Sequence, residues 1–393
     1  MKKITTAVAL ATSVMAGTAI ADEVKIGFVL SLTTPAAVIG QDMQNGANLA
    51  MKHLGSKAGS HDLKVFFEDD AFTPETGKQA TDRLVKEENV DFVAGYIWSH
   101  VLLASRKSVL DNDKFLIISN AGPSAAAGKL CDENQFSVGV QNDLGPMAMG
   151  DQMNAAGVKK LYMMAPNYAA GKDMVSGVER TFKGEIVGKD LTKWGKDAQL
   201  DFSAELAKAK ASGADAMWVF YPGAAAGAFI KQYQQAGLAE SMPLYTSFTV
   251  DAISLPKLQD AGFTSVLGTQ TTQIWDPTID NEANKKFVAD FKAEYGHYPS
   301  YYGAQAYDTV RAIAAAVEAA NGVSDKDAVR AALKSVNYDS VRGKYTYGNN
   351  NFPIQKLYLR EFQPDADGVW SSKIVGTVYE NGQDPYASEC KLK

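Results

Sequence analysis

The chain has 393 residues, 46% of them hydrophobic, with 39 Lys and Arg against 45 Asp and Glu, a formal net charge of −6. That length lies above the roughly 250–300 residues at which single cores stop growing, so two lobes are expected. The acidic balance argues against nucleic acid as a partner.

Residues 1–21 read as a secretory signal. Lys2 and Lys3 supply the positive start, an apolar stretch runs from Ile4 to Ile20, and Ala19-Ile20-Ala21 is the small-x-small pattern of a signal-peptidase site. Cleavage after Ala21 would leave Asp22 first and take the net charge to −8. No later stretch approaches the roughly 20 continuous apolar residues that span a bilayer, so the expected address is the periplasm.

Short apolar strands then alternate with amphipathic helices, the signature of βαβ units and a parallel sheet. Strands are predicted at Val24–Leu30, Leu63–Glu68, Asp91–Ile97 and Lys114–Ser119. Helices are predicted at Asp42–Leu54, after Thr73-Pro74 and from Ser99. Thr73 would cap its helix and Pro74 would occupy a first-turn position where no donor is missed. Asp69-Asp70 reads as a solvated strand end.

The pattern restarts after Gln141-Asn142. Helices at Pro146–Ala156, Gly171–Lys183, Ser203–Ser212 and Gly227–Ala236 alternate with strands at Lys160–Ala165, Glu185–Asp190, Ala216–Tyr221 and Pro243–Ser247. Gly268–Trp275 looks like an extended crossover, Asn281–Lys334 is helical with a break at Pro299, and Tyr358–Phe362 and Ile374–Tyr379 are two strands joined by the turn-rich Gln363–Gly368 segment. The expected fold is α/β, with two doubly wound parallel-sheet lobes. Cys131 and Cys390, an even pair in an oxidising compartment, favour one disulfide that ties down the tail.

Enzyme signatures are missing. His53, His61, His100 and His297 are scattered, without the spacing that puts two imidazoles on one helix face, so no metal is expected. No GxGxxG or GxSxG is present, and Gly171-Lys172-Asp173 lacks both the upstream Gly and the hydroxyl that a phosphate loop requires, so no cofactor is expected.

In open parallel sheets ligands sit at the carboxyl ends of strands. The loops there are Ser31–Gln41, which carries Ile39, and Tyr96–His100, Asn120–Ser124, Pro166–Gly171, Tyr221–Ala225 and Thr246–Asp251. Ser99 stands where a strand turns into a helix, so its hydroxyl and the first helical amides suit a carboxylate. Tyr96, Trp98, Tyr168, Tyr221, Tyr245 and Phe248 place aromatic surface at the same strand ends.

Over nearly the whole chain after the leader, the sequence resembles the leucine/isoleucine/valine-type periplasmic binding proteins of ABC transporters. The likeness is carried by Lys25-Ile26-Gly27, Gly40 with Asn45-Gly46-Ala47, Glu68-Asp69-Asp70, Val90–Ser99, Ile118-Ser119, Asp201-Phe202-Ser203-Ala204, Gly213-Ala214-Asp215-Ala216 and Ala236-Gly237-Leu238. It implies two lobes that close like a hinged trap, joined by three crossovers near Gln141, Gln273 and Tyr347. One lobe would comprise residues 22–141 plus 274–346, the other 142–273 plus 347–393. It also implies a monomer that delivers its ligand to transporter permease subunits.

By the same resemblance, Ser99 and the loop of Ala121 and Gly122 grip a ligand carboxylate, while Tyr168 and the Tyr221 region close over it. Two departures bear on the ligand. Amino-acid binders of the family carry a hydroxyl residue where this chain has Pro123, and an acid where it has Phe248 between Ser247 and Thr249. An ammonium buried without its counter-charge costs several kcal/mol, which favours a carboxylate with an apolar or aromatic body. Ala121–Ser124 and Ala165–Asp173 also look like the branch associated with benzoates and hydroxycinnamates. Asp251 is the residue that, brought into the cleft, would restore amino-acid binding. A branched-chain amino-acid binder and a ligand-sensing partner of a membrane receptor are the other readings.

Overall fold

A strand buried on both faces needs a continuous apolar run, and β1 (Val24–Leu30, VKIGFVL) has one, buried at every position but Lys25. The computed structural model describes residues 23–195 and 198–392, so the leader and its cleavage point lie outside the described residues. β1 pairs in parallel with β3 (His61–Asp69) on one side and β4 (Phe92–Gly95) on the other. β5 (Phe115–Ile118) and β6 (Gln135–Ser137) extend the sheet in parallel, and the two-residue β2 (Lys57–Ala58) caps its other edge antiparallel to β3. The order is β2-β3-β1-β4-β5-β6.

The second sheet repeats that winding. β7 (Lys160–Pro166) lies between β8 (Glu185–Thr192) and β9 (Ala216–Phe220), followed by β10 (Leu244–Ser247) and β11 (Gln270–Gln273), all parallel. An antiparallel hairpin of β13 (Pro353–Pro364) and β14 (Trp370–Gly382) then closes on β11, with the short β12 (Thr346–Tyr347) beside it. Apart from β2 and the closing hairpin, each sheet has the doubly wound order in which the first strand sits between the second and third. Each therefore has a switch point, between β1 and β4 and between β7 and β9, where a crevice opens at the strand carboxyl ends.

The helices of the first sheet are α1 (Ala37–His53), α2 (Pro74–Lys86), α3 (Ser99–Leu110) and the one-turn α4 (Ser124–Ala127). The second carries α5 (Leu144–Ala155), α6 (Ala169–Thr181), α7 (Ser203–Ala211), α8 (Ala224–Gln235) and α9 (Leu255–Asp260). The chain then returns to the first sheet through α10 (Glu282–Tyr295), α11 (Tyr301–Ala320), which lies along α1, and α12 (Lys326–Ser335). Thr73 caps α2 by accepting from Thr76 N at 3.1 Å, with Pro74 in the first turn, as its sequence predicts. A disulfide joins Cys131 to Cys390 and anchors the tail beside α4.

Three differences from the sequence-based elements have local causes. α1 begins five residues before the predicted Asp42, because Gly40 lets its first turn lie against the Ser31 carbonyl. β6 carries no apolar alternation and exists through pairing with β5. Asp70 is not a solvated strand end: it is 0% exposed and accepts from Ser31 Oγ (2.5 Å) and from the Phe72 amide (2.8 Å).

Candidate functional site: an aromatic cleft between the sheets

The carboxyl-end loops of the two sheets face each other and touch. Ser124 of α4 donates through its amide (3.0 Å) and hydroxyl (2.8 Å) to the two carboxylate oxygens of Asp173 on α6. Phe72 meets Trp194 edge to face at 5.7 Å, and His100 meets Tyr168 at 5.4 Å. Between these contacts lies an inner chamber, whose enclosed space and open mouth together come to about 370 Å3.

One end of the chamber is polar. Ser99 opens α3, so helix geometry leaves the amides of Ser99, His100 and Val101 without acceptors inside the helix. Its hydroxyl, 1% exposed, accepts from Asn142 Nδ2 at 3.1 Å and keeps its own proton to donate. Asn142 also donates to Asp173 (3.0 Å) and accepts from the Gly122 amide (3.2 Å), so one side chain ties the Ser99 hydroxyl to the contact across the cleft. Asn120 donates to the Ile97 carbonyl at 2.7 Å, which leaves its Oδ1 buried without a partner.

The rest is apolar and aromatic: Trp98, Tyr168, Met174, Phe220, Phe248 and Tyr302 form most of the wall. Trp98 is held by an indole bond to Ser31 Oγ (2.7 Å), and Ser31 in turn donates to Asp70. Burial pushes the Asp70 carboxyl up to about 6. Phe248 enters the chamber from the left-handed region (φ 52°), a conformation costly for a bulky residue and concentrated at ligand sites. Among the described residues, no carboxylate or ammonium side chain lines this chamber. Trp98 and Pro222 also line an outer chamber of about 940 Å3, which is walled by Phe72, Trp194 and Leu200.

Of the residues picked from sequence, Trp98, Ser99, Tyr168 and Phe248 meet in the inner chamber. The others lie elsewhere. Tyr96 is fully buried under the first sheet, its hydroxyl 2.8 Å from Thr81, because the left-handed turn at Gly95 and Tyr96 sends the ring inward. The Ala121 amide is spent on the Tyr96 carbonyl (2.9 Å) and that of Gly122 on Asn142, so neither is free for a ligand. Gly122 has a backbone role: a Cβ there would sit 2.1 Å from the Val140 carbonyl. Tyr221 points into the second core, its hydroxyl 3.1 Å from Thr192 and its ring stacked on Phe229 at 5.5 Å. Ile39 is buried near the lip, its Cδ1 3.5 Å from where a Cβ on Gly223 would lie. Asp251 caps its own turn, Oδ1 accepting from the amides of Ile253 (3.0 Å) and Ser254 (2.9 Å), and lines a separate cavity.

Gly171, the residue that gives Gly171-Lys172-Asp173 its phosphate-loop look, allows α6 to approach β7: a Cβ there would lie 1.8 Å from the Pro166 carbonyl. Asn142, Phe220 and Tyr302 were not found from sequence. Asn142 follows the predicted crossover at Gln141, and Tyr302 follows the helix break at Pro299, so both carried a positional signal; Phe220 had only that of a core strand.

Comparison with known proteins agrees with this architecture. A family model described as periplasmic binding protein matches residues 23–368. The chain is 27% identical to Leu/Ile/Val-binding protein homolog 6 of Brucella abortus (strain 2308), over 98% of this chain and 99% of that one. It superposes with a TM-score of 0.86 on an ABC-transporter solute-binding protein of R. palustris in complex with benzoate, 28% identical, covering 94% of this chain and 100% of the other. The branched-chain amino-acid transporter substrate-binding protein LivJ of Streptococcus pneumoniae, in complex with isoleucine, shares the fold at a TM-score of 0.77 and 20% identity, over 90% and 99% of the two chains.

Proposed function

The chain belongs to the periplasmic binding protein family, and from that premise we propose that it captures an aromatic carboxylate of the benzoate or hydroxycinnamate type for an ABC transporter. The observation that carries this reading is the inner chamber, with anion donors at one end, aromatic walls elsewhere and, among the described residues, no carboxylate to receive an ammonium. The carboxylate sits at the Ser99 hydroxyl and the first amides of α3, where the helix dipole favours negative charge. The ring lies between Tyr168, Phe220 and Phe248, and the unpartnered Asn120 Oδ1 accepts from a ring hydroxyl. The benzoate bound by the R. palustris protein supports the same ligand class.

The ligand is held by hinged closure of a monomer, one lobe comprising residues 22–141 with 274–346 and the other 142–273 with 347–393. The closed protein is then presented to permease subunits at the periplasmic face of the inner membrane. A branched-chain amino acid is the second reading, favoured by the name of the Brucella relative, Leu/Ile/Val-binding protein homolog 6. Its ammonium would meet no carboxylate among the described residues of the inner chamber, an uncompensated burial that costs several kcal/mol.

The test is calorimetry and thermal unfolding of the purified protein with benzoate, 4-hydroxybenzoate, 4-hydroxycinnamate and L-leucine. An aromatic acid at about 100 times its Kd should stabilise the protein by about 2.7 kcal/mol through mass action. L-Leucine that displaces the aromatic acids, or that binds in their place, would overturn the assignment.

A further inference from the structure

Beyond Phe248, on the β10–β11 side of the cleft, lies a third cavity of about 880 Å3. A partition of Phe248, Tyr301 and Tyr302 divides it from the inner chamber, with ring centroids 5.3 to 5.9 Å apart. Tyr302 lines the chamber and Tyr301 the cavity. The chemistry on the two sides differs. Among the described residues the inner chamber has no charged wall, whereas the cavity is lined by Lys292 and His297 and, more deeply, by a carboxylate, Asp251, and a guanidinium, Arg360, only 9% and 6% exposed.

Both groups have hydrogen-bonding capacity that the described residues do not use. Asp251 accepts two amides, both at Oδ1, and its Oδ2 accepts no hydrogen bond. Arg360 donates through Nη1 to the Trp275 carbonyl at 3.1 Å, has Asp276 at 3.7 Å from the same nitrogen, and leaves Nε buried without a partner. Buried charges are ordinarily paired and hydrogen-bonded, because an unmet donor or acceptor carries its full desolvation cost. Burial lifts the Asp251 carboxyl to about 6, with the Asp42 carboxylate adding to the rise. Trp275, Tyr298 and Trp370 supply the apolar remainder of the wall.

We propose that this cavity is a second small-molecule site, which binds a zwitterion of the apolar or aromatic amino-acid class, its ammonium at Asp251 Oδ2, its carboxylate at Arg360 and its side chain against Trp275 and Trp370. The two sites divide the chemistry: an anion with a ring enters the chamber at Ser99, and a molecule carrying both signs of charge enters the cavity at Asp251.

The experiment is calorimetric titration of L-phenylalanine and L-leucine into the full protein, with and without saturating benzoate. The expected result is binding that persists with benzoate present, weakens about tenfold or more in Asp251→Asn, and is unchanged in Ser99→Ala. Asn keeps the Oδ1 acceptor of the Ile253 and Ser254 amides, so Asp251→Asn folds, and its unaltered benzoate isotherm serves as the check. No amino-acid binding in either condition, competition with benzoate, or the same affinity in Asp251→Asn would overturn the proposal. Should benzoate itself fail to bind, the reading of the inner chamber falls, while the titration without benzoate still reports on this cavity through Asp251→Asn.

Discussion

Removing one oxygen at Ser99 tests the anion end of the cleft. In Ser99→Ala the ligand carboxylate loses the hydroxyl donor of a residue that is 1% exposed, in a chamber where no charged side chain among the described residues replaces it. A hydrogen bond to a charged group contributes about 1.5–3 kcal/mol, which corresponds to a benzoate Kd raised roughly 10- to 150-fold. The first amides of α3 remain, so binding is weakened and not abolished. Cost to the unliganded fold is smaller, because Asn142 Nδ2 keeps its bond to Asp173 and loses only a neutral acceptor, worth about 1 kcal/mol. Calorimetry with benzoate and with its neutral analogue benzamide separates the contributions: the substitution should weaken benzoate far more than benzamide. Equal losses for the two, or a benzoate Kd unchanged in the variant, would refute the placement of the carboxylate at Ser99.

Two other perturbations test the frame around the site. Asp173→Ala removes the acceptor of three bonds, from the Ser124 amide, the Ser124 hydroxyl and Asn142; it should raise the benzoate Kd by about tenfold and increase the radius of gyration in small-angle scattering, and an unchanged radius and Kd would deny Asp173 a part in closure. Asp70 has a folded-state pKa raised by burial to about 6, so the folded state holds a proton that the unfolded state has released between about pH 4 and 6, and stability falls as pH rises through that window. Asp70→Asn, neutral throughout, should exceed the parent by up to about 3 kcal/mol at pH 7.5 and lose that advantage near pH 4; a variant destabilised equally at both pH values in chemical denaturation would contradict this.

The periodicity of the chain carried the architecture well. β1 and β7 read as strands because they are apolar runs buried on both faces, and α2 was marked at its start by Thr73 and Pro74. The chamber lining was legible only where it coincides with the strand-to-helix junctions. Ser99 was found because a strand-to-helix junction exposes amides, and Trp98, Tyr168 and Phe248 because they flank such junctions. Tyr96 and Tyr221 stand at similar junctions yet turn into the cores, and nothing in residue type distinguishes a ring that lines a cleft from one that fills a core. Asn142 reaches the chamber from the passage between the sheets and Tyr302 from the first turn of α11, positions that periodicity does not mark as facing a cleft.

What the sequence determined by itself is therefore local and repetitive: which segments are strands or helices, that they alternate, and that one strand-to-helix junction at Ser99 exposes a helix N-terminus. Tertiary structure alone decided which way each junction side chain points, that the amides of Ala121 and Gly122 are spent inside the protein, and that Asp251 faces a separate cavity behind an aromatic partition. The physical reason is that burial and periodicity are properties of a segment, whereas a binding surface depends on dihedrals such as the positive φ of Tyr96 and Phe248, and on partners more than a hundred residues away.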